Sequence, residues 1–346
     1  SLSLLNNECS STTIFYNIYE RRSSMQLLKK KILYKDWIYE WLLDKKNYIK
    51  ESTYANYSTN IFNHIIPKLG HYYLKDINHK IIQEFLLDLS KNGNKSNDSG
   101  LSEKTIKDIA IIVKGSIKKA INDNLIDYIE LSFNYPKTHK EEKIYIFTKS
   151  EQNKITNYSI NNLNNKNLGI LISLYSGLRI GEVCALRWKN IDFKKGILTV
   201  NTTIQRIYIK DKEKNLSKVI ITAPKTKNAN RDIPINNCFL NILKKFKGTD
   251  NEYIISGSEK YIEPRTYRKY FEKVLKVNKL KHINFHSLRH TFATNCISAG
   301  VDYKTVSELL GHANVNITLN LYVHPRMSQK KKCIDLISKV FQEKVK

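Results

Sequence analysis

From Ile32 the chain settles into a helical rhythm of apolar and polar positions. Trp37, Ile38, Trp41 and Leu42 share one face of a first predicted helix. Tyr54, Tyr57, Ile61, Ile65 and Ile66 share one face of a second, which Pro67 and Gly70 are expected to close. A third helix is predicted over about 78–90, with Ile81, Ile82, Phe85 and Leu86 inward. Residues 91–100 are polar and read as a loop. Ser102 then opens a fourth helix that reaches about Asp123, because its hydroxyl can accept from an otherwise orphaned helix N–H. With lysines on the outer faces, this pattern makes residues 32–135 a small helical bundle. Asn134-Tyr135-Pro136 breaks the rhythm and a charged run follows, so a linker is expected at 136–143.

Helices return near 149–158 and 166–175, and Ser176-Gly177 interrupts the second just before Leu178-Arg179. After Trp188 the period shortens to that of strands. Ile191 to Val200, with Lys195-Gly196 at its turn, reads as a β-hairpin, and Ile204–Ile209 and Lys218–Thr222 add further strands. Pro224 to Arg231 is a turn, Asp232 to Ile235 leaves it, and helices are expected again near 236–246 and 265–277. The stretch from His286 to Tyr322 is mostly helical, and a last helix follows Pro325. The fold class is therefore mainly α with a small antiparallel β-sheet. Residues 1–31 are expected to be a tail or linker, 144–326 a second domain of mixed α/β content, and 327–346 a helical tail.

Charge narrows the function. With 58 basic and 32 acidic residues the formal charge is +26, which points to a polyanionic partner, and nucleic acid gains most from so many phosphate-neutralising groups. A membrane surface is the rival, but the sequence holds no apolar run of about 18 residues that would span one. Five scattered cysteines without a C-x-x-C pair argue against a zinc site or a disulfide framework, and the expected setting is the reducing cytoplasm. No phosphate-binding G-x-x-x-x-G-K-[ST] loop occurs, and the carboxylate clusters of a two-metal nuclease are missing from the candidate segments. No cofactor and no metal are expected.

Chemistry gathers in four segments. They are S-G-L-R-I-G-E at 176–182, P-K-T-K-N-A-N-R-D-I-P at 224–234, H-S-L-R-H-T-F-A-T at 286–294 and L-L-G-H-A-N-V-N-I-T-L-N-L-Y-V-H at 309–324. A phosphodiester repels nucleophiles, so an enzyme that attacks it without metal must neutralise its nonbridging oxygens. Two guanidiniums suit that task, being planar, bidentate and permanently charged. Arg179 and Arg289 are the candidates, with Glu182 as a possible orienting partner of Arg179 or an ordinary helix-surface carboxylate. His286 and His312 belong to the class that moves protons near neutrality. His290, four residues after His286, suggests a metal helix, but the Glu of H-E-x-x-H is lacking and a structural role fits better. Tyr322 is one of 21 tyrosines, so its residue type alone says nothing.

In this order and spacing the four segments resemble those of the tyrosine recombinases, the phage-type integrase family, over roughly 33–326. The resemblance is closest to integrases of phages and conjugative transposons. It implies a helical core-binding domain at 32–135 and a catalytic domain at 144–326 that grip DNA from two sides. It also implies an active site of Arg179, Lys225, His286, Arg289 and His312, with Tyr322 as nucleophile. In that pattern the lysine protonates the leaving 5′ oxygen. The Pro-Lys-Thr spacing favours Lys225, with Lys227 a close competitor. Tyr322 would form a covalent 3′-phosphotyrosyl intermediate that conserves the bond energy without ATP. The expected partners are double-stranded recombination sites, a homotetramer on paired sites, and accessory DNA-bending or excision proteins. Residues 1–31 are too few for the separate arm-binding domain of longer members. Cys333, Ile334, Ile337, Val340 and Phe341 form an apolar stripe that would dock in cis or on a neighbouring protomer. The same chemistry would serve a chromosome-dimer resolvase or an invertase, and a DNA-binding regulator of the same fold would not cut.

Overall fold

A computed structural model describes residues 32–94, 99–137, 144–223 and 227–322, together with 331, 334, 335 and 338. The side chains of Lys227 and of residues 320–322 lie outside that description. The expectations for the tail at 1–31, most of the linker at 136–143, Lys225 and the apolar stripe after residue 332, apart from Ile334, also fall outside it. Ile334 itself is exposed.

The chain divides into two compact units, one of residues 1–141 with 207–218, the other of residues 142–206 with 219–346. The first unit is helical: α1 (Tyr34–Lys45), α2 (Glu51–Asn60), the short α3 (Ile66–Leu69), α4 (His79–Asn92) and α5 (Glu103–Asn122). Its core follows the sequence rhythm, with Trp37, Ile38, Trp41, Leu42, Ile82, Phe85, Ile109 and Val113 all buried. Ser102 caps α5 as expected, its Oγ accepting from the Thr105 N–H at 3.3 Å. Asn78 does the same for α4, accepting from Ile81 at 3.0 Å.

Pro67 does not end the second helix. Residues Ile61–Ile65 wind as a π-helix, and the helical path resumes as α3 with Pro67 near its start. The wider π turn resets the hydrogen-bond register, and near the start of a segment the missing proline N–H leaves no bond unmade. Gly70 then closes the run, its N–H donating to the Ile66 carbonyl at 2.9 Å.

The second unit is built on α6 (Lys149–Asn161), α7 (Asn165–Ser176), α8 (Ile180–Ala185), α9 (Asn237–Lys244), α10 (Pro264–Val277), α11 (His286–Ser298), α12 (Tyr303–Leu310) and α13 (Val315–Tyr322). Among the described residues the strands form two sheets where one was expected. The first is β1 (Ile191–Asp192), β2 (Ile197–Val200) and β5 (Arg231–Pro234) in the order β1-β2-β5; the second pairs β3 (Thr203–Ile209) with β4 (Leu216–Thr222). In the first sheet Leu198 lies opposite Ile233 and Val200 opposite Arg231, so the period of two turns the Arg231 side chain to the same buried face as Ile233. The core behind that face contains Trp188, Leu198, Val200, Ile233, Tyr267, Phe271 and Phe285.

The split of the β3–β4 hairpin between the units has a chemical reason. Residues 207–218 lie inside the span expected for the second domain, yet the tip bonds to the helices of the first unit. Tyr39 Oη donates to Asp211 at 2.7 Å, Lys210 Nζ donates to Asn63 at 2.5 Å, and Lys212 pairs with Asp36 at 3.3 Å. Lys218 forms an ion pair with Glu51. Residue spacing along the chain carries no sign of these pairings.

Candidate active site

The site begins where α7 stops. Gly177 takes the left-handed conformation, φ 70°, that ends a helix and turns the chain. A Cβ there would stand 2.6 Å from Phe292 and 2.8 Å from Leu310, so α11 and α12 close directly on this turn. Two residues later Arg179 caps α8, and Glu182 reaches back to accept its backbone N–H at 2.9 Å. The Glu182 carboxylate also accepts from Arg179 Nη1 at 2.8 Å. Glu182 is therefore no surface carboxylate: its side chain is 3% exposed, while that of Arg179 is 37% exposed. Burial pushes the Glu182 pKa up, but Arg231 and then Arg179 outweigh it and hold the group below the usual carboxylate range.

Arg289, in the first turns of α11, is buried, and its Nη1 donates to the Gly177 carbonyl at 2.9 Å. One bond thus joins the helix of the second arginine to the turn that presents the first. His286 opens α11 with an exposed edge, and His290, one turn on, meets it edge to face with ring centres 4.6 Å apart. Gly311, also left-handed at φ 64°, ends α12 and delivers the buried His312. Arg179 Nη2 reaches the Gly311 carbonyl at 3.5 Å.

The charges of these groups act on one another. The pKa of His312 falls to about 3, first through burial and then through Arg289, Arg179, His286 and Arg231. That of His286 falls to about 4, through loss of hydration and then the fields of His290, Arg289 and Arg179. His290 also falls to about 4, by burial and Arg289. The result is a concentration of fixed positive charge beside neutral imidazoles. Such a site attracts a phosphate, neutralises charge that builds on its oxygens, and offers nitrogens that accept or donate a proton.

Four predicted residues, Arg179, His286, Arg289 and His312, thus converge, and the buried Glu182 joins them through Arg179. Tyr322 is the last residue of α13, on the helix whose buried Thr318 hydroxyl bonds His312 Nδ1 at 2.8 Å. Among the described residues no group of His, Cys, Asp or Glu is arranged to hold a metal, and none of the helices is long and apolar enough to cross a membrane.

Three residues escaped the sequence reading. Thr318 lies one helical turn before Tyr322, a spacing that could have drawn notice. Asn228 donates to the His312 carbonyl at 3.3 Å, and Arg231 binds Glu182 through both terminal nitrogens, at 2.9 and 3.2 Å. Arg231 lies inside the segment 224–234, but among 58 basic residues nothing in the sequence marked it as buried.

An α-helical unit joined to a mixed unit with this arginine–histidine cluster defines a class, and comparison with known proteins identifies it. Residues 135–329 match the phage integrase family and residues 33–90 the phage integrase N-terminal SAM-like domain. The chain belongs to the phage integrase family. It is 29% identical over 279 residues to a XerC-like tyrosine recombinase of Caldanaerobacter subterraneus, covering 74% of this chain and 71% of that one. It is also 29% identical to the transposase of transposon Tn916 from Enterococcus faecalis, over 66% of this chain and 60% of the relative. The fold matches that of the Tn1549 transposon integrase in complex with a circular intermediate DNA, with TM-score 0.68 and 21% identity over 89% of this chain and all of that one.

Proposed function

We propose that this chain integrates or excises a mobile element by cutting and rejoining DNA at specific sites. The observation that carries the reading is the convergence of Arg179, Arg289, His286 and His312 around the Gly177 turn. Arg179 and Arg289 would hold the nonbridging oxygens of the scissile phosphate and stabilise the charge that builds there. Tyr322 Oη would attack the phosphorus and give up its proton, with His286 as acceptor. A bond from tyrosine oxygen to the 3′ phosphate forms as the bond to the 5′ oxygen breaks, and Lys225 would protonate that leaving oxygen. Attack by a 5′ hydroxyl from another strand reverses the step, so no external energy is needed. His286 is neutral in the free protein, and a bound phosphate would raise its affinity for the proton it accepts.

Exchange between two duplex sites cuts four strands, and each protomer supplies one tyrosine, so a homotetramer on paired sites is the matching assembly. The charge of +26 suits a protein that encloses DNA. A cytoplasmic location beside the chromosome and the help of DNA-bending partners belong to the same reading.

The test is covalent capture. Nicked duplexes tiled across the DNA that flanks the gene release a short fragment on cleavage and trap the protein. Wild type should give an adduct that survives a denaturing gel, and Tyr322→Phe should bind the same duplex and give none. An adduct with the Phe variant would move the nucleophile elsewhere. Binding without any wild-type adduct would make the protein a regulator.

A further inference from the structure

Arg179 and Arg231 share one carboxylate but face different surroundings. The Arg179 side chain is 37% exposed, whereas that of Arg231 is 5% exposed. A guanidinium so enclosed is not a DNA contact, and all its described bonds point inward. Arg231 Nη2 and Nη1 bind the two oxygens of Glu182 at 2.9 and 3.2 Å. Its Nη1 also donates to the Ala229 carbonyl at 3.1 Å, and its Nε to the Leu309 carbonyl at 2.6 Å. One side chain thus ties β5, the end of α12 and the start of α8 together.

These attachments lead to Arg179 and to the turn that carries His312. Through Glu182, Arg231 meets Arg179. Through Leu309 it holds the end of α12, two residues before the left-handed Gly311 and three before His312. A Cβ on Gly311 would lie 2.9 Å from the Asn228 carbonyl and 3.0 Å from Arg231 Cδ, so the turn before β5 and the turn carrying His312 touch. Asn228 Nδ2 adds its bond to the His312 carbonyl at 3.3 Å. Ala229, which Arg231 grips, ends the short helical turn Lys227–Ala229.

We propose that Arg231 is a positioning residue for the proposed cleavage, acting through Glu182 on Arg179 and through the α12 end on His312. The proposal rests on the recombinase reading above. Glu182 left with Arg179 alone would let the exposed guanidinium turn about a single carboxylate. The bidentate bond from Arg231 fixes both oxygens and so fixes the direction in which Arg179 points. Fixed direction matters because a displacement of about 1 Å in a reacting array lowers rates by about a hundredfold.

The experiment uses the full chain and the nicked duplex on which wild type forms its adduct. Arg231→Lys keeps the charge but loses the fork. Arg231→Met with Glu182→Gln removes both charges, so no buried ion is left unpaired and folding is protected. In both variants, single-turnover cleavage at saturating DNA should fall about a hundredfold, the scale of such a displacement, while the DNA affinity stays within about threefold because the many other cations hold the backbone. The deciding substrate carries a methylphosphonate at the mapped scissile position, tested as each stereoisomer. In one stereoisomer the oxygen that Arg179 would neutralise is replaced by methyl. There the defect of the Arg231 variants should shrink to the share that acts through His312, several-fold smaller than on the phosphate. A defect of equal size on the phosphate and on both stereoisomers would make Arg231 a structural residue only and overturn the proposal, as would full cleavage by either variant. Absence of a wild-type adduct on every duplex would instead sink the recombinase reading itself.

Discussion

The turn at Gly177 sets the geometry of the site, and a single methyl group tests it. Gly177→Ala combines two penalties. The backbone is left-handed, φ 70°, which costs a residue with a Cβ about 1–2 kcal/mol. The added carbon would also stand 2.6 Å from Phe292 and 2.8 Å from Leu310, both side chains of packed helices. Overpacking of that kind costs about 1–3 kcal/mol. Together they give about 2–5 kcal/mol, or a melting point lower by roughly 4–20 °C for a unit of this size. Gly300 supplies the control. It is also left-handed, φ 92°, but a Cβ there meets nothing within 4 Å. Gly300→Ala should therefore cost only the backbone share, about 1–2 kcal/mol. Thermal denaturation of both variants beside wild type measures the difference. Because the Gly177 carbonyl accepts from Arg289, its variant should also cut DNA more slowly than its melting point alone would suggest, and Gly300→Ala should not. Equal losses of stability in the two variants would show that α11 and α12 do not close on the Gly177 turn.

Two further results are expected. The three histidines of the site should be neutral at pH 6 in the free protein, since their pKa values sit at about 3 to 4 against 6.5 for a free imidazole. Above about 6.5 both folded and unfolded chains hold them neutral. As pH falls from there the unfolded chain takes up protons that the folded one refuses, so stability drops until the native sites protonate near pH 4 to 3. Histidine resonances followed by NMR titration test this, and a His312 midpoint near 6.5 would contradict it; added duplex DNA should raise the midpoints, because a phosphate favours the charged form. Thr318→Val keeps its shape but removes the hydroxyl that holds His312 Nδ1 at 2.8 Å, and should slow adduct formation about tenfold, the equivalent of one net hydrogen bond. An unchanged rate on the same duplex would mean that the His312 ring needs no such guide.

Much of this protein could be read from local pattern. The helices of the first unit follow from apolar positions that repeat at helical spacing, because burying one face is the strongest local demand on the chain. Ser102 and Asn78 act as caps because their short polar side chains reach a helix N–H from where they stand. Gly177 marked the break before Arg179, since a left-handed turn favours a residue without a Cβ. Phosphodiester chemistry limited which residue types can serve, and the resemblance of the four segments in their order to the tyrosine recombinases pointed to the arginine pair and the two histidines.

What the sequence left undecided depends on partners distant along the chain. Glu182 and Arg231 are 49 positions apart, and only packing decides that they meet. The sequence counted Arg231 as one more base on a basic protein, yet the register of β2 with β5 turns it inward. The same holds for the hairpin tip, whose Asp211 finds Tyr39 across 172 positions, and for the π turn that lets Pro67 sit inside a helical path. Residue type fixes what a group can do, and spacing fixes which face of its own element it occupies. The neighbour on that face, and hence its burial, its pKa and the direction it points, is set by tertiary packing.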